Sequence, residues 1–153
     1  GLRCGFCAGE ARFIEAFADF RNVAAPQVPE PLQWVGIAAL GDEAHVNESR
    51  ALYRAKFDVA DAVLGGHFDY QRPDGGFFLW LNVAGLRSDG FSAGEEAARL
   101  LWRREGLRTV PGGYLCRSGA DGRNPGADYL RIALVQDLAT TQEALPRLLA
   151  GLS

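Results

Sequence analysis

The chain has 153 residues, 48% of them hydrophobic and 10% aromatic, with a formal net charge of −3 and no run of basic residues. That length fits one domain, or one domain with part of another, and the apolar content fits a filled core. The charge excludes the basic footprint that nucleic acid demands, and the most apolar stretch, residues 77–83, is too short to cross a bilayer.

The sequence opens on Gly1 and contains no methionine, so it reads as a fragment or processed piece, with no signal peptide in view. Asn47-Glu48-Ser49 matches a glycosylation sequon and, without a secretory signal, reads as chance. Three cysteines are an odd number and too few for a disulfide framework. They indicate free thiols in a reducing, cytoplasmic setting. Among the sixteen basic residues Lys56 is the one lysine.

Residues 2–8 read as a strand and 9–20 as an amphipathic helix with Phe13, Ile14, Phe17 and Ala18 on one face. Residues 22–31 carry three prolines and read as an irregular connection. A helix over 32–40 breaks at Gly41-Asp42. A long helix over 43–64 follows, with Tyr53, Phe57, Ala60 and Leu64 on its apolar face and Gly65-Gly66 as its stop.

The pattern then turns to strands. Residues 68–70 read as a short one, Pro73-Asp74-Gly75-Gly76 as a turn, and 77–83 as a strand apolar on both faces. A helix over 95–105 points Ala98, Leu101 and Trp102 inward. Residues 107–110 form a strand stopped by Pro111-Gly112-Gly113, and 117–128 form a polar loop. A last helix covers 141–152, with Thr140 and Glu143 as a capping box and Pro146 as a kink. The second half is thus a compact β–β–α–β–β–α unit, suited to a small antiparallel or mixed sheet covered by helices.

Between the polar loop and the last helix stands Tyr129-Leu130-Arg131-Ile132-Ala133-Leu134-Val135. Leu130, Ile132 and Leu134 share one face; Tyr129, Arg131, Ala133 and Val135 share the other. A guanidinium remains charged at any working pH, and burying it unpaired is costly. An anion should therefore meet Arg131: a structural carboxylate, or a ligand carboxylate held in two parallel hydrogen bonds.

Gly1-Leu2-Arg3-Cys4-Gly5, Pro73-Asp74-Gly75-Gly76-Phe77-Phe78-Leu79-Trp80, Val110-Pro111-Gly112, Asn124-Pro125-Gly126 and Leu130-Arg131-Ile132-Ala133-Leu134 form an ordered set. In order and spacing this set resembles the class I/II aminotransferases, enzymes dependent on pyridoxal 5'-phosphate (PLP). Cys4 departs from the family's usual aliphatic residue. The resemblance covers essentially the whole chain. It implies an α/β fold: the C-terminal part of the large PLP-binding domain plus the small α+β domain of a fold-type-I aminotransferase. Residues 1–50 would be the C-terminal remnant of the large domain, and 51–153 the interdomain helix and small domain.

By the same resemblance Arg3 would contact the PLP phosphate, Arg131 would clamp the substrate α-carboxylate, and Gly76 and Phe77 would close over the substrate. Phe78 reads as core, and Phe77 equally as core or site. The Schiff-base lysine would lie upstream of Gly1, leaving no catalytic residue in this chain. Lys56 is rejected for that role. It lies outside the signature, on a helix flank where a lysine lays its stem on apolar surface and sends its charge to water. Arg21 could meet an acidic substrate group, although a solvated arginine is the simpler reading.

The implied activity moves an amino group between an amino acid and a 2-oxo acid in a homodimer. The loop and strand around Arg131 are most like those of N-succinyldiaminopimelate aminotransferases of lysine biosynthesis. Two alternatives come from other classes. One is an aminotransferase-like effector domain of a transcription regulator. The other is a dithiol oxidoreductase built on Cys4-Gly5-Phe6-Cys7. On a strand, however, Cys4 and Cys7 would face opposite sides. Cys116, His45 and His67 lack metal-ligand spacing.

Overall fold

The computed structural model describes residues 3–24, 27–87 and 90–153. The chain divides into two compact units, Gly1–Glu48 and Ser49–Ser153.

The first unit is helical. Helices α1 (Ala11–Ala24) and α2 (Glu30–Leu40) precede the start of α3 (Ala44–Leu64). The strand expected over 2–8 is absent: Leu2 lies outside the described residues, and 3–10 is irregular, with Arg3 in the left-handed region at φ 58°. A strand needs a partner for its N–H and C=O groups, and the described residues of this unit offer none. Helix α1 also runs past Phe20 to Ala24, absorbing the first residues of the expected connection; Ala25 and Pro26 lie outside the described residues. The next prolines set the start of α2. Pro29 caps it and Pro31 sits in its first turn, where a missing N–H costs nothing.

The second unit holds the core. Its sheet has the order β1-β3-β2 and is wholly antiparallel, built from β1 (Phe78–Asn82), β2 (Val110–Pro111) and β3 (Tyr129–Ala133). Helix α4 (Ala93–Glu105) lies against it, and α5 (Leu138–Leu152) packs on α4. Leu79, Leu81 and Leu130 point from the sheet into a cluster with Phe57, Ala60, Leu64, Ala97, Leu101, Leu145, Leu148 and Leu152. Each fully buried leucine contributes roughly 1.5–3 kcal/mol.

Local chemistry fixes the helix ends. Ser92 N–H donates to Glu95 Oε2 at 2.9 Å while Ser92 Oγ accepts from Glu95 N, a capping box that starts α4. Gly106 ends α4 in the left-handed region at φ 65°, a conformation that costs glycine least. Helix α5 starts earlier than its pattern suggests. Asp137 is the cap and accepts from Thr140 N at 2.7 Å, whereas Glu143 pairs with Arg147 at 2.9 Å instead of closing a box with Thr140.

Three further expectations change. Residues 68–70 form no strand, because Phe68 and Asp69 are left-handed at φ 56° and 50° and turn the chain. Trp102 is 62% exposed: the buried line on α4 runs Ala93, Ala97, Leu101, and the next position falls off it. Pro111 is part of β2 and does not merely stop it. At this sheet edge no neighbour among the described residues asks for an N–H there.

Candidate active site

β3 is the central strand, so its two faces differ sharply. Leu130 and Leu134 are buried against the helices, while Tyr129, Arg131, Ala133 and Val135 take the open face. On that face Arg131 lies between Trp80 of β1 and Val110 of β2. Its guanidinium carbon sits 4.6 Å from the centroid of the Phe78 ring. The ring's negative face holds the cation without neutralising it. Arg131 Nε is buried and meets no hydrogen-bond acceptor, and no carboxylate pairs with the side chain among the described residues. Of the two anions expected for Arg131, the structural carboxylate is therefore absent among these residues.

An aromatic wall extends from the arginine. Phe78 touches Phe77 at 4.2 Å between centroids, and Phe77 stacks on Tyr53 of α3 at 5.6 Å. Phe77 is thus half-buried within the wall and one ring removed from Arg131. Gly76 precedes it, exposed and at φ 83°, with open space where a Cβ would point. On the other side of Arg131, Trp80 stacks on Tyr129 at 5.5 Å.

The two glycine motifs meet beneath this face. Asn124 Nδ2 donates to Gly113 O at 2.8 Å, and Asn124 Oδ1 accepts from Gly126 N at 2.9 Å. A Cβ on Gly112 would lie 2.7 Å from Gly126 O and 2.8 Å from the Trp80 ring. Glycine there lets two backbones and an indole approach one another.

Lys56 differs from its expected place. It is 7% exposed, and its amine donates to Leu134 O at 2.9 Å and lies 4.7 Å above the Tyr53 ring. The charge stays inside because a carbonyl and a ring face meet it there. This committed amine does not fit the attachment of a cofactor. Arg3, by contrast, is exposed with no side-chain partner among the described residues, and its cation fits a phosphate. Arg21, in the last turn of α1, is half-buried and engaged, not solvated. Cys4 and Cys7 are exposed free thiols on the irregular segment ahead of α1. Among the described residues no cluster of His, Cys, Asp and Glu has the arrangement of a metal site, and no helix is long and apolar enough to cross a membrane.

Sequence reasoning missed Phe78 and Lys56. The signal for Phe78 was present: Leu79 and Leu81 inward put Phe78 and Trp80 on the face of Arg131. Nothing local marked Lys56.

Comparison with known proteins places the chain in a family. Residues 1–148 match the family model "Aminotransferase class I and II". The chain is 37% identical over 134 residues to the 4-dedimethylamino-4-oxo-anhydrotetracycline transaminase OxyQ of Streptomyces rimosus, covering 87% of this chain and 33% of that protein. It is 30% identical over 153 residues to an LL-diaminopimelate aminotransferase of Syntrophobacter fumaroxidans, covering 97% and 36%. An aminotransferase structure from Neisseria meningitidis superposes with a TM-score of 0.75 at 38% identity, over 97% of this chain and 36% of that one. The chain therefore spans about a third of the length of the relatives it matches. Its mixed α/β architecture is that of the fold-type-I aminotransferases, and the chain belongs to the class I and II aminotransferase family.

Proposed function

We propose that the full-length protein is a PLP-dependent aminotransferase in which this chain recognises substrate carboxylate through Arg131. The family is PLP-dependent. The cofactor, when bound, supplies the electron sink for amino-group exchange. The observation that carries the reading is a half-buried guanidinium on an open sheet face, resting on Phe78 and lacking an acidic partner among the described residues. Such a group offers a planar fork to an α-carboxylate shared by every amino-acid and 2-oxo-acid substrate.

The other roles follow in the same reading. Arg3 contacts the cofactor phosphate, and the lysine that carries the cofactor belongs to the rest of the protein. Gly76 and Phe77 close over the substrate, and movement of the small domain excludes water from it. Residues 1–50 are part of the large cofactor domain and 51–153 the interdomain helix and small domain. The exposed apolar side chains of α1 and α2, among them Phe13, Phe17, Trp34 and Ile37, suit burial against a larger domain. The protein works as a homodimer in the cytoplasm.

For the substrate we favour N-succinyldiaminopimelate with 2-oxoglutarate, on the likeness of the Gly122-Arg123-Asn124-Pro125-Gly126 loop and the Arg131 strand. The relative named for LL-diaminopimelate supports the same carbon skeleton. The test is Arg131→Ala in the full-length enzyme. KM for amino acid and 2-oxo acid should both rise about a hundredfold, as for the loss of a bidentate charged pair, with the cofactor absorbance retained. Unchanged KM values contradict the clamp. Comparing kcat/KM for N-succinyldiaminopimelate and LL-diaminopimelate decides the substrate.

A further inference from the structure

Lys56 is a buried cation that the proposed reaction does not use. An ammonium taken out of water is costly, and an apolar side chain of the same length would fill this helix position without that cost. The site is nevertheless arranged around the charge. The amine donates to Leu134 O at 2.9 Å, lies over the Tyr53 ring, and contributes to holding the Asp137 carboxyl below the ordinary range, after the larger effect of the Thr140 N–H and hydroxyl. Lys56 therefore ties α3 to the junction between β3 and α5.

That junction sits three residues beyond Arg131. Leu134 is fixed on both sides: its carbonyl accepts from Lys56, and its N–H donates to Phe77 O at 2.9 Å. Phe77 stacks on Tyr53, the ring beneath the Lys56 amine, and touches Phe78, the ring beneath the Arg131 guanidinium. Two short routes thus connect the cations, one along the β3 backbone and one through the aromatic wall. Loss of the Lys56 bond leaves the end of β3 held by the Leu134–Phe77 bond alone and takes the cation from the Tyr53 ring face.

We infer that Lys56 is a positioning residue for substrate carboxylate, acting through Arg131 by anchoring the end of β3 and the Tyr53–Phe77–Phe78 wall. The inference rests on the reading of Arg131 as the carboxylate clamp.

The test is a double-mutant cycle in the full-length enzyme. Lys56→Met should raise KM for amino acid and 2-oxo acid about tenfold, the order of one charge-assisted hydrogen bond, and weaken the binding of unreactive propionate equally. The cofactor absorbance and kcat should stay near parental values. Lys56→Arg should restore most of the lost affinity, because it returns a cationic donor. In the Arg131→Ala background, Lys56→Met should add nothing. Parental KM and propionate affinity in Lys56→Met overturn the inference, and so do effects that multiply with those of Arg131→Ala. If Lys56→Met does not fold, Lys56→Gln carries the same comparison, with a smaller selective rise in KM expected and no rise contradicting it. Parental kinetics in Arg131→Ala alone overturn the clamp itself, so the two failures are distinguishable.

Discussion

The two units of this chain bury their apolar side chains very differently. No described residue of the first unit is buried, although Phe13, Phe17, Phe20, Trp34 and Ile37 line its helices. The second unit buries fourteen hydrophobic residues in one cluster beneath a three-stranded sheet. Amphipathic pattern alone therefore does not make a core. Helices α1 and α2 have the composition for burial but no described surface of their own unit to meet it. The sheet unit has both halves of its contact within 105 residues, Ser49–Ser153. Among the described residues, the buried apolar packing that stabilises a fold therefore resides in the second unit.

Substitutions can break that contrast, and the largest effect is expected in the sheet. Leu81→Ala removes a side chain with no exposure and should cost about 2–5 kcal/mol in a denaturant titration of residues 49–153. Phe17→Ser on α1 should lie within about 0.5 kcal/mol in the same assay on the whole chain. A matching loss for Phe17→Ser would show that the first unit has a core of its own.

Gly112→Ala should follow, at about 1–3 kcal/mol, because the added methyl meets Gly126 O at 2.7 Å and the Trp80 ring at 2.8 Å. Gly5→Ala in the first unit meets nothing within 4 Å and should be neutral in thermal melts. Smaller again, Ser92→Ala should cost about 1 kcal/mol by removing the α4 cap.

The smallest effect is in the pH dependence. The Tyr70 hydroxyl, and after it Arg72, holds the Asp61 carboxyl below its ordinary value. A depressed native pKa stabilises the fold above the unfolded value of about 4 and loses that stabilisation as pH falls through the folded value. Melts of residues 49–153 should therefore show stability declining on acidification below about pH 5, and Asp61→Asn should flatten that limb.

Much of the second unit was legible in the sequence because its signals are local. The Phe57-Ala60-Leu64 stripe, the Gly65-Gly66 stop and the alternation through Arg131 each follow from period and turn chemistry. The fold class was legible through ordered motifs, since Asn124-Pro125-Gly126 and Val110-Pro111-Gly112 meet as backbone contacts that only small residues permit. What was not legible is long-range. Lys56 is buried because of a carbonyl 78 residues away. The strand expected over 2–8 fails for want of a neighbour, which no property of its own residues reveals. Trp102 faces solvent although its type favours burial, because its position lies off the Ala93-Ala97-Leu101 line of α4.

The central claim is that Arg131 is held ready for a carboxylate. The most direct measurement is the arginine side-chain N–H resonance of Arg131, followed by NMR in the full-length protein during titration with 2-oxoglutarate. The account predicts a saturable shift of the Arg131 Nε–H signal that tracks ligand binding, since that nitrogen meets no acceptor among the described residues. Binding of 2-oxoglutarate with the Arg131 signal unmoved would contradict it.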